Sequence, residues 1–320
     1  MTEQRRSDGS LRHLLTLEGL TRGELETLLE RAQHYVRQSG SGAPHADVLT
    51  GVTVANMFTE PSTRTRVSFE LAAKRLGANT VNLEVQLSSR VKGETMLDTI
   101  FTLESMHVDV FVLRDSEVGV PAMVAANVAP HVSVLSAGEA HVSHPTQGLL
   151  DALTVLQKKG HCDGLSIAIV GDIRHSRVAR SAFRAFGTLG ATDLRIVAPS
   201  AMMPDEDEFA GCARETDIAR GIAGCDVVMM LRIQKERFAD ADIPAGEEYF
   251  QEFGLTAGRL ALAKPEAIVM HPGPMNRGVE IESAVADGPQ SVIRLQVANG
   301  VAVRMAALEV LAAPLAARPG

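Results

Sequence analysis

The chain predicts an α/β architecture of parallel sheets flanked by helices, divided between two domains. Three observations carry this. Short β-branched and apolar runs alternate with helix-like segments along most of its length, and such alternation predicts parallel strands joined by crossover helices. The strand-like runs are almost wholly apolar, as strands buried on both faces are. With 320 residues, 45% of them apolar, the chain is long for one core and comfortable for two.

The elements follow in order. After ten polar residues, the first clear strand is 52–58 (Val-Thr-Val-Ala-Asn-Met-Phe), with Gly51 before it and Pro61 soon after. Val67, Leu71, Ala72 and Leu76 then recur at helical spacing, and Gly77 stands where a helix would stop. Further strands are predicted at 109–113, 131–135, 165–170, 194–198, 226–231 and 267–270. Pro145 opens a helix over 146–159, with Leu149, Leu150, Leu153 and Leu156 on one face, and Gly160 ends it. The acidic, proline-marked stretch 201–210 reads as a solvated loop. Residues 291–313 form a last long helical pattern, with Ile293, Val297, Val301, Met305 and Leu308 on one face. Composition alone marks the domain boundary only faintly, near 145–160, and no short internal repeat is visible.

Composition excludes several classes. A formal charge of −8 argues against a general nucleic-acid binder, so any cationic cluster is local, as in a pocket for a small anion. Trp is absent, and aromatics are 4%, so Leu, Val, Ile, Ala and Met must build the cores. Cys162, Cys212 and Cys225 are isolated thiols, which suits a reducing compartment better than a disulfide framework. The start lacks the apolar core of a signal peptide, and no uncharged run approaches the roughly 20 residues of a membrane span. A soluble, cytoplasmic protein is expected, with no nucleic-acid or membrane partner.

The most informative stretch is 58–70, Phe-Thr-Glu-Pro-Ser-Thr-Arg-Thr-Arg-Val-Ser-Phe-Glu. Ser62, Thr63, Arg64, Thr65 and Arg66 put two guanidinium groups and three hydroxyls into one strand-to-helix turn. A helix N-terminus already favours an anion, and these donors would complete a phosphate cradle that needs no glycines. The alternative is Ser62 as an ordinary N-cap with solvated arginines behind it, and local physics leaves both readings open. Further polar residues stand where predicted strands end: Arg114, His144, Gln147, Arg177, Arg232, Gln234 and the run His271-Pro272-Gly273-Pro274. Ligands of open parallel sheets bind at such strand ends.

The nine residues Phe58 to Arg66 closely resemble the carbamoyl-phosphate signature of the aspartate and ornithine carbamoyltransferases. Residues 88–95 (Ser-Ser-Arg-Val-Lys-Gly-Glu-Thr), Val112-Leu113-Arg114, His144-Pro145-Thr146-Gln147, 232–237 and His271-Pro272-Gly273-Pro274 also match that family, so the resemblance covers about residues 11–313. Within it the aspartate branch fits better. Lys92, Arg177 and Arg232 supply cations for a two-carboxylate acceptor, and no cysteine follows Cys225, which rules out the His-Cys-Leu-Pro block typical of the ornithine branch. The resemblance implies a carbamoyl-phosphate domain over 1–145 plus 296–320 and an aspartate domain over 146–295, joined by the two long helices. It implies transfer of the carbamoyl group to the α-amino group of L-aspartate, the committed step of de novo pyrimidine biosynthesis. No metal and no cofactor is expected.

By the same resemblance, Ser62, Thr63, Arg64, Thr65 and Arg114 hold the phosphate, and Thr65, Arg114 and His144 point donors at the carbonyl oxygen. Gln147 and the carbonyls of Pro272 and Gly273, with Pro274 beside them, hold the carbamoyl NH₂. Lys92, Arg177, Arg232 and Gln234 take the acceptor. A homotrimer is implied, in which the Lys92 loop enters a neighbour's site; regulatory chains or a dihydroorotase partner are compatible with it. Gly273 departs from the Leu of well-studied aspartate enzymes, which predicts a looser backbone there.

Other readings fit less well. Gly171-Asp172 after a strand invites a dinucleotide site, but Ile173 and Ser176 occupy the later glycine positions of that fingerprint. His141, His144 and the pair His161-Cys162 lack a further metal ligand at matching spacing. There is no Gly-x-Ser-x-Gly elbow. A non-catalytic small-anion sensor would use the phosphate cradle but has no use for Lys92, Arg177, Arg232 and Gln234 together.

Overall fold

The computed structural model describes residues 4–37, 42–84, 95–233 and 246–316. The chain separates into two compact units: unit 1 comprises Met1–Leu149 and Ala298–Gly320, and unit 2 comprises Leu150–Val297. Both crossings between units occur inside helices, Pro145–Lys159 (α5) and Ile293–Ala316 (α11).

Unit 1 holds α1 (Arg22–His34), β1 (Thr53–Phe58), α2 (Thr63–Arg75), β2 (Asn79–Glu84), α3 (Met96–Ser105), β3 (Val110–Asp115), α4 (Val120–Asn127) and β4 (Ser133–Glu139). Its four strands are parallel in the order β2-β1-β3-β4. Phe111, Val124, Val132 and Val134 are buried in a core that α3 and α4 cover. Past β4, the N-terminal segment covers the sheet edge: Leu14 N donates to Val134 O at 2.9 Å, and Val134 N donates to His13 Nδ1 at 3.0 Å. An edge closed in this way offers no template for another strand.

Helix α2 starts at Thr63, four residues before its apolar periodicity begins. It ends as the sequence predicts: Gly77 takes φ +80°, and Gly77 N and Ala78 N bond back to Lys74 O and Ala73 O.

Unit 2 contains β5 (Ser166–Val170), α6 (Arg177–Thr188), β6 (Asp193–Val197), β7 (Ala213–Glu215), α7 (Ile218–Ile222), β8 (Val227–Met230), α8 (Gly246–Phe253), α9 (Ala257–Leu260), β9 (Ile268–Met270) and α10 (Ser283–Ala286). Its parallel sheet runs β7-β6-β5-β8-β9.

Several expectations change. β2 and β7 are additional strands. The acidic segment 201–210 is not simply solvated: Met202 and Phe209 are buried, and the Phe209 ring packs edge-on to Phe183 with centroids 5.0 Å apart. Two apolar anchors thus fix the segment, while Asp205 and Glu208 are exposed. On α11, Ile293, Met305 and Leu308 are buried as expected, but Val297 is 60% exposed. The same helix from Ile293 to Leu315 is long and apolar enough to cross a bilayer, and 72% of its most apolar window is buried inside the protein.

Candidate active site

Each sheet has one point where strand order reverses, between β1 and β3 in unit 1 and between β5 and β8 in unit 2. The crevice beyond the carboxyl ends at such a point is where open parallel sheets bind ligands. The residues selected from sequence and described here follow or sit at the carboxyl ends of β1, β3, β4, β5, β8 and β9.

In unit 1, Phe58 and Arg114 are register partners at the ends of β1 and β3. Thr59 continues the tie, its N and Oγ1 donating to Arg114 O at 3.0 and 3.2 Å. The signature turn follows at once, so Ser62, Thr63, Arg64 and Thr65 form the entry to α2 beside Arg114. Ser62 occupies the N-cap position with φ −157° and ψ 74°, and its hydroxyl makes no capping bond. The ordinary-cap reading therefore does not describe it.

Two other helices of this unit show the contrast. At α1 and α3, Thr21 with Glu24 and Thr95 with Asp98 form complete capping boxes that put a carboxylate at the positive helix end. α2 has no acidic residue in its first turn and carries Arg64 and Arg66 there instead. Cations against the helix dipole are a local cost, and such conflicts concentrate where a ligand compensates them.

Arg114 is held from two sides. Its Nε donates to Glu60 Oε2 at 3.1 Å, Nη2 forms an ion pair with the same oxygen at 3.1 Å, and Nη1 donates to Ala137 O of β4 at 3.3 Å. Glu60, which sequence reasoning left without a role, is the carboxylate that holds Arg114; its signal is a lone carboxylate inside a cationic turn. From β4 the chain turns sharply, with Ala140 at φ +39° and Ala140 N bonded to Asp115 O at 2.8 Å. This delivers His144 and Gln147 to the start of α5, 5% and 8% exposed, with His144 O accepting from Gln147 N at 2.9 Å.

In unit 2, Gly171 ends β5 at φ +136°, and a Cβ there would lie 2.9 Å from Leu231 Cβ. Glycine lets the ends of β5 and β8 close on each other, a packing role in place of the phosphate role a dinucleotide site would give it. The contact sets Arg232, next after Leu231, beside the loop that leads to Arg177. In that loop Asp172 Oδ1 accepts from His175 N at 3.2 Å, and Ser176 Oγ caps α6 through Ala179 N at 3.0 Å. Arg177 is then the first residue of α6 and is 6% exposed. It is a buried arginine at the positive end of a helix, whereas Arg64 at the start of α2 is exposed.

The loop after β9 is tied to the same edge, because Asn276 Nδ2 donates to Ile233 O at 3.1 Å. Gly273 is not loose: it sits at φ +63°, a region L side chains rarely adopt, and its N–H donates to His271 Nδ1 at 2.8 Å. His271 Nε2 in turn contacts Glu280 Oε1 at 3.1 Å, with both side chains fully buried. Pro272 and Gly273 are half-buried, Pro274 is exposed, and the Gly273–Pro274 peptide is cis.

Lys92, with its loop 88–94, and Gln234 lie outside the described residues. Burial pushes the Cys225 thiol up to about 11, and burial raises the Cys212 thiol as well. Neither is primed as a thiolate nucleophile.

Two parallel-sheet units, each with arginines at the strand ends beside its switch point, define the class: a two-domain α/β protein with cationic strand ends. The chain belongs to the aspartate/ornithine carbamoyltransferase family: residues 12–157 match the carbamoyl-phosphate-binding domain of that family and 163–311 its aspartate/ornithine-binding domain. It is similar to the aspartate transcarbamoylase of Trypanosoma cruzi in complex with carbamoyl phosphate, with 32% identity, TM-score 0.82, and 93% of this chain and 95% of that one covered. The catalytic subunit of aspartate transcarbamoylase from M. jannaschii is 30% identical, with TM-score 0.83 over 96% and 100% of the chains. The ornithine carbamoyltransferase of Pyrococcus furiosus is also similar, at 31% identity and TM-score 0.82 over 94% and 96%. The fold is thus the two-domain α/β fold expected from sequence.

Proposed function

We propose that this carbamoyltransferase uses L-aspartate as acceptor, producing N-carbamoyl-L-aspartate and phosphate in de novo pyrimidine biosynthesis in the cytoplasm. The observation that carries the reading is the pair Arg177 and Arg232 at adjoining strand ends of unit 2. Two fixed cations suit two carboxylates. An ornithine side chain would bring an ammonium group to the same cations.

Carbamoyl phosphate already joins a carbonyl to a good leaving group, so the protein must align the donor with the amine and stabilise the oxyanion. Alignment of two bound reactants lowers a barrier by roughly 7–11 kcal/mol, and an oxyanion donor adds about 3–4 kcal/mol. Ser62, Thr63, Arg64, Thr65 and Arg114 hold the phosphate. Thr65, Arg114 and His144 direct donors at the carbonyl oxygen. Gln147 and the carbonyls of Pro272 and Gly273 accept from the carbamoyl NH₂, with Pro274 shaping the turn. Arg177, Arg232 and Gln234 bind the aspartate carboxylates, and Lys92 meets both substrates from a neighbouring chain of a homotrimer. The amine attacks the carbonyl carbon, the C–O bond to phosphate breaks, and the departing phosphate takes the ammonium proton.

The test is phosphate release from carbamoyl phosphate by the purified protein. Release that depends on added L-aspartate supports the reading; release indifferent to aspartate contradicts it.

A further inference from the structure

Arg304 lies on α11, within unit 1, and is 5% exposed. Its surroundings are unusual for a buried charge. Nη1 donates to Gly300 O, one turn back on its own helix, at 2.9 Å. The guanidinium carbon stands over the Phe69 ring, 4.9 Å from the centroid. Nε is buried without an acceptor, and among the described residues no carboxylate forms an ion pair with Arg304. A buried cation lacking a counter-charge is costly, and an apolar side chain of similar volume at such a position is often neutral or stabilising. Something other than the stability of unit 1 must account for it.

Its neighbours point to what that is. Phe69 is buried on α2, the helix whose first turn carries Thr63, Arg64 and Thr65. Arg114 is close enough to act on it: burial first, then repulsion from the Arg114 charge, push the Arg304 guanidinium down to about 10, still protonated at neutral pH. Glu60 is engaged on Arg114 at 3.1 Å, while Arg304 forms no ion pair among the described residues, so its own charge stands beside that of Arg114.

We infer that Arg304 is a positioning residue for the donor: a permanent cation behind α2 that keeps the cradle at positive potential, so that a dianionic phosphoryl group completes the local charge balance. This rests on the reading of unit 1 as the carbamoyl-phosphate site. Phe69 takes the face of the guanidinium, so Arg304 acts through its field and through the packing of α2.

The test compares Arg304→Met, close in volume and uncharged, with Arg304→Lys, which keeps the charge. The probe is inorganic phosphate, titrated calorimetrically on the full chain well above and well below its second ionisation. Removing a unit charge that acts on a dianion through a partly screened interior should weaken phosphate on the order of tenfold at the higher pH and less at the lower. Arg304→Lys should stay within about threefold of wild type. Without phosphate, Arg304→Met should melt no lower than wild type. Wild-type phosphate affinity in Arg304→Met, or equal weakening in both variants with a lowered melting temperature, overturns the inference. Arg304→Gln carries the same two outcomes should the methionine variant not fold. Arg64→Ala separates the two readings: if it alone loses phosphate, the cradle stands and only the role of Arg304 falls. If it binds phosphate like wild type, the cradle reading falls and takes this inference with it.

Discussion

Replacing Glu60 with Ala should slow turnover far more than it weakens donor binding. Two guanidinium nitrogens of Arg114 lie 3.1 Å from Glu60 Oε2, one as a hydrogen-bond donor, and the paired side chains are only 14% and 16% exposed. Exposed ion pairs are worth about 0–1 kcal/mol and breaking fully buried ones costs about 3–5 kcal/mol, which places this mostly buried pair near 2 kcal/mol. If Glu60 serves to aim Arg114 at the carbonyl oxygen, that loss falls on the transition state, and kcat drops by about 30-fold. The Michaelis constant for carbamoyl phosphate should hold steady or fall, because Glu60 competes with the phosphate for Arg114. Steady-state phosphate release at saturating aspartate measures both constants, with circular dichroism to establish the fold. A folded variant that keeps kcat within about threefold of wild type, or that loses only donor affinity, refutes the reasoning.

Arg64→Ala removes a bidentate phosphate contact worth about 2–4 kcal/mol, so kcat/KM should fall at least a hundredfold with the fold intact; retention of about a tenth of the activity would place Arg64 outside the site. The His13 imidazole, 1% exposed, is held down to about 3 by burial and then by the Arg12 and Arg6 charges. Its folded value lies below its unfolded value of about 6.5, so the unfolded chain binds more protons between those limits and stability falls as pH drops through them, by about 2 kcal/mol from pH 7 to 5. Urea unfolding at both values should show His13→Asn losing correspondingly less, and an equal loss in both proteins refutes the assignment. Finally, mixing and reassembling Lys92→Ala with Arg64→Ala chains should restore part of the activity if sites are shared between subunits. Mixed trimers without activity would place Lys92 in its own chain's site.

The strands legible in the sequence were those buried on both faces, such as β5 and β8, whose apolar runs leave little else to read. β2 and β7 escaped because they are edge strands: Asn79, Val81 and Asn82 are exposed, and β7 spans only three residues. Apolar periodicity places the start of α2 late because its first turn carries hydroxyl and guanidinium groups in place of core residues. Local motifs singled out Arg64, Arg114, His144, Arg177 and Arg232 as candidates because each follows or ends a strand. They could not reveal that Glu60 grips Arg114, a contact across 54 positions that needs β1 and β3 paired in register. Nor could they show that Gly171 serves a contact with Leu231, since that depends on which strand lies beside β5.

The acceptor is the point on which the account stands. Incubation with carbamoyl phosphate and equimolar L-aspartate and L-ornithine, with both products quantified by mass spectrometry, compares the two kcat/KM values in one vessel. Arg177 and Arg232 predict N-carbamoyl-L-aspartate with citrulline at background; citrulline in comparable or greater amount contradicts the assignment of these arginines to a dicarboxylate.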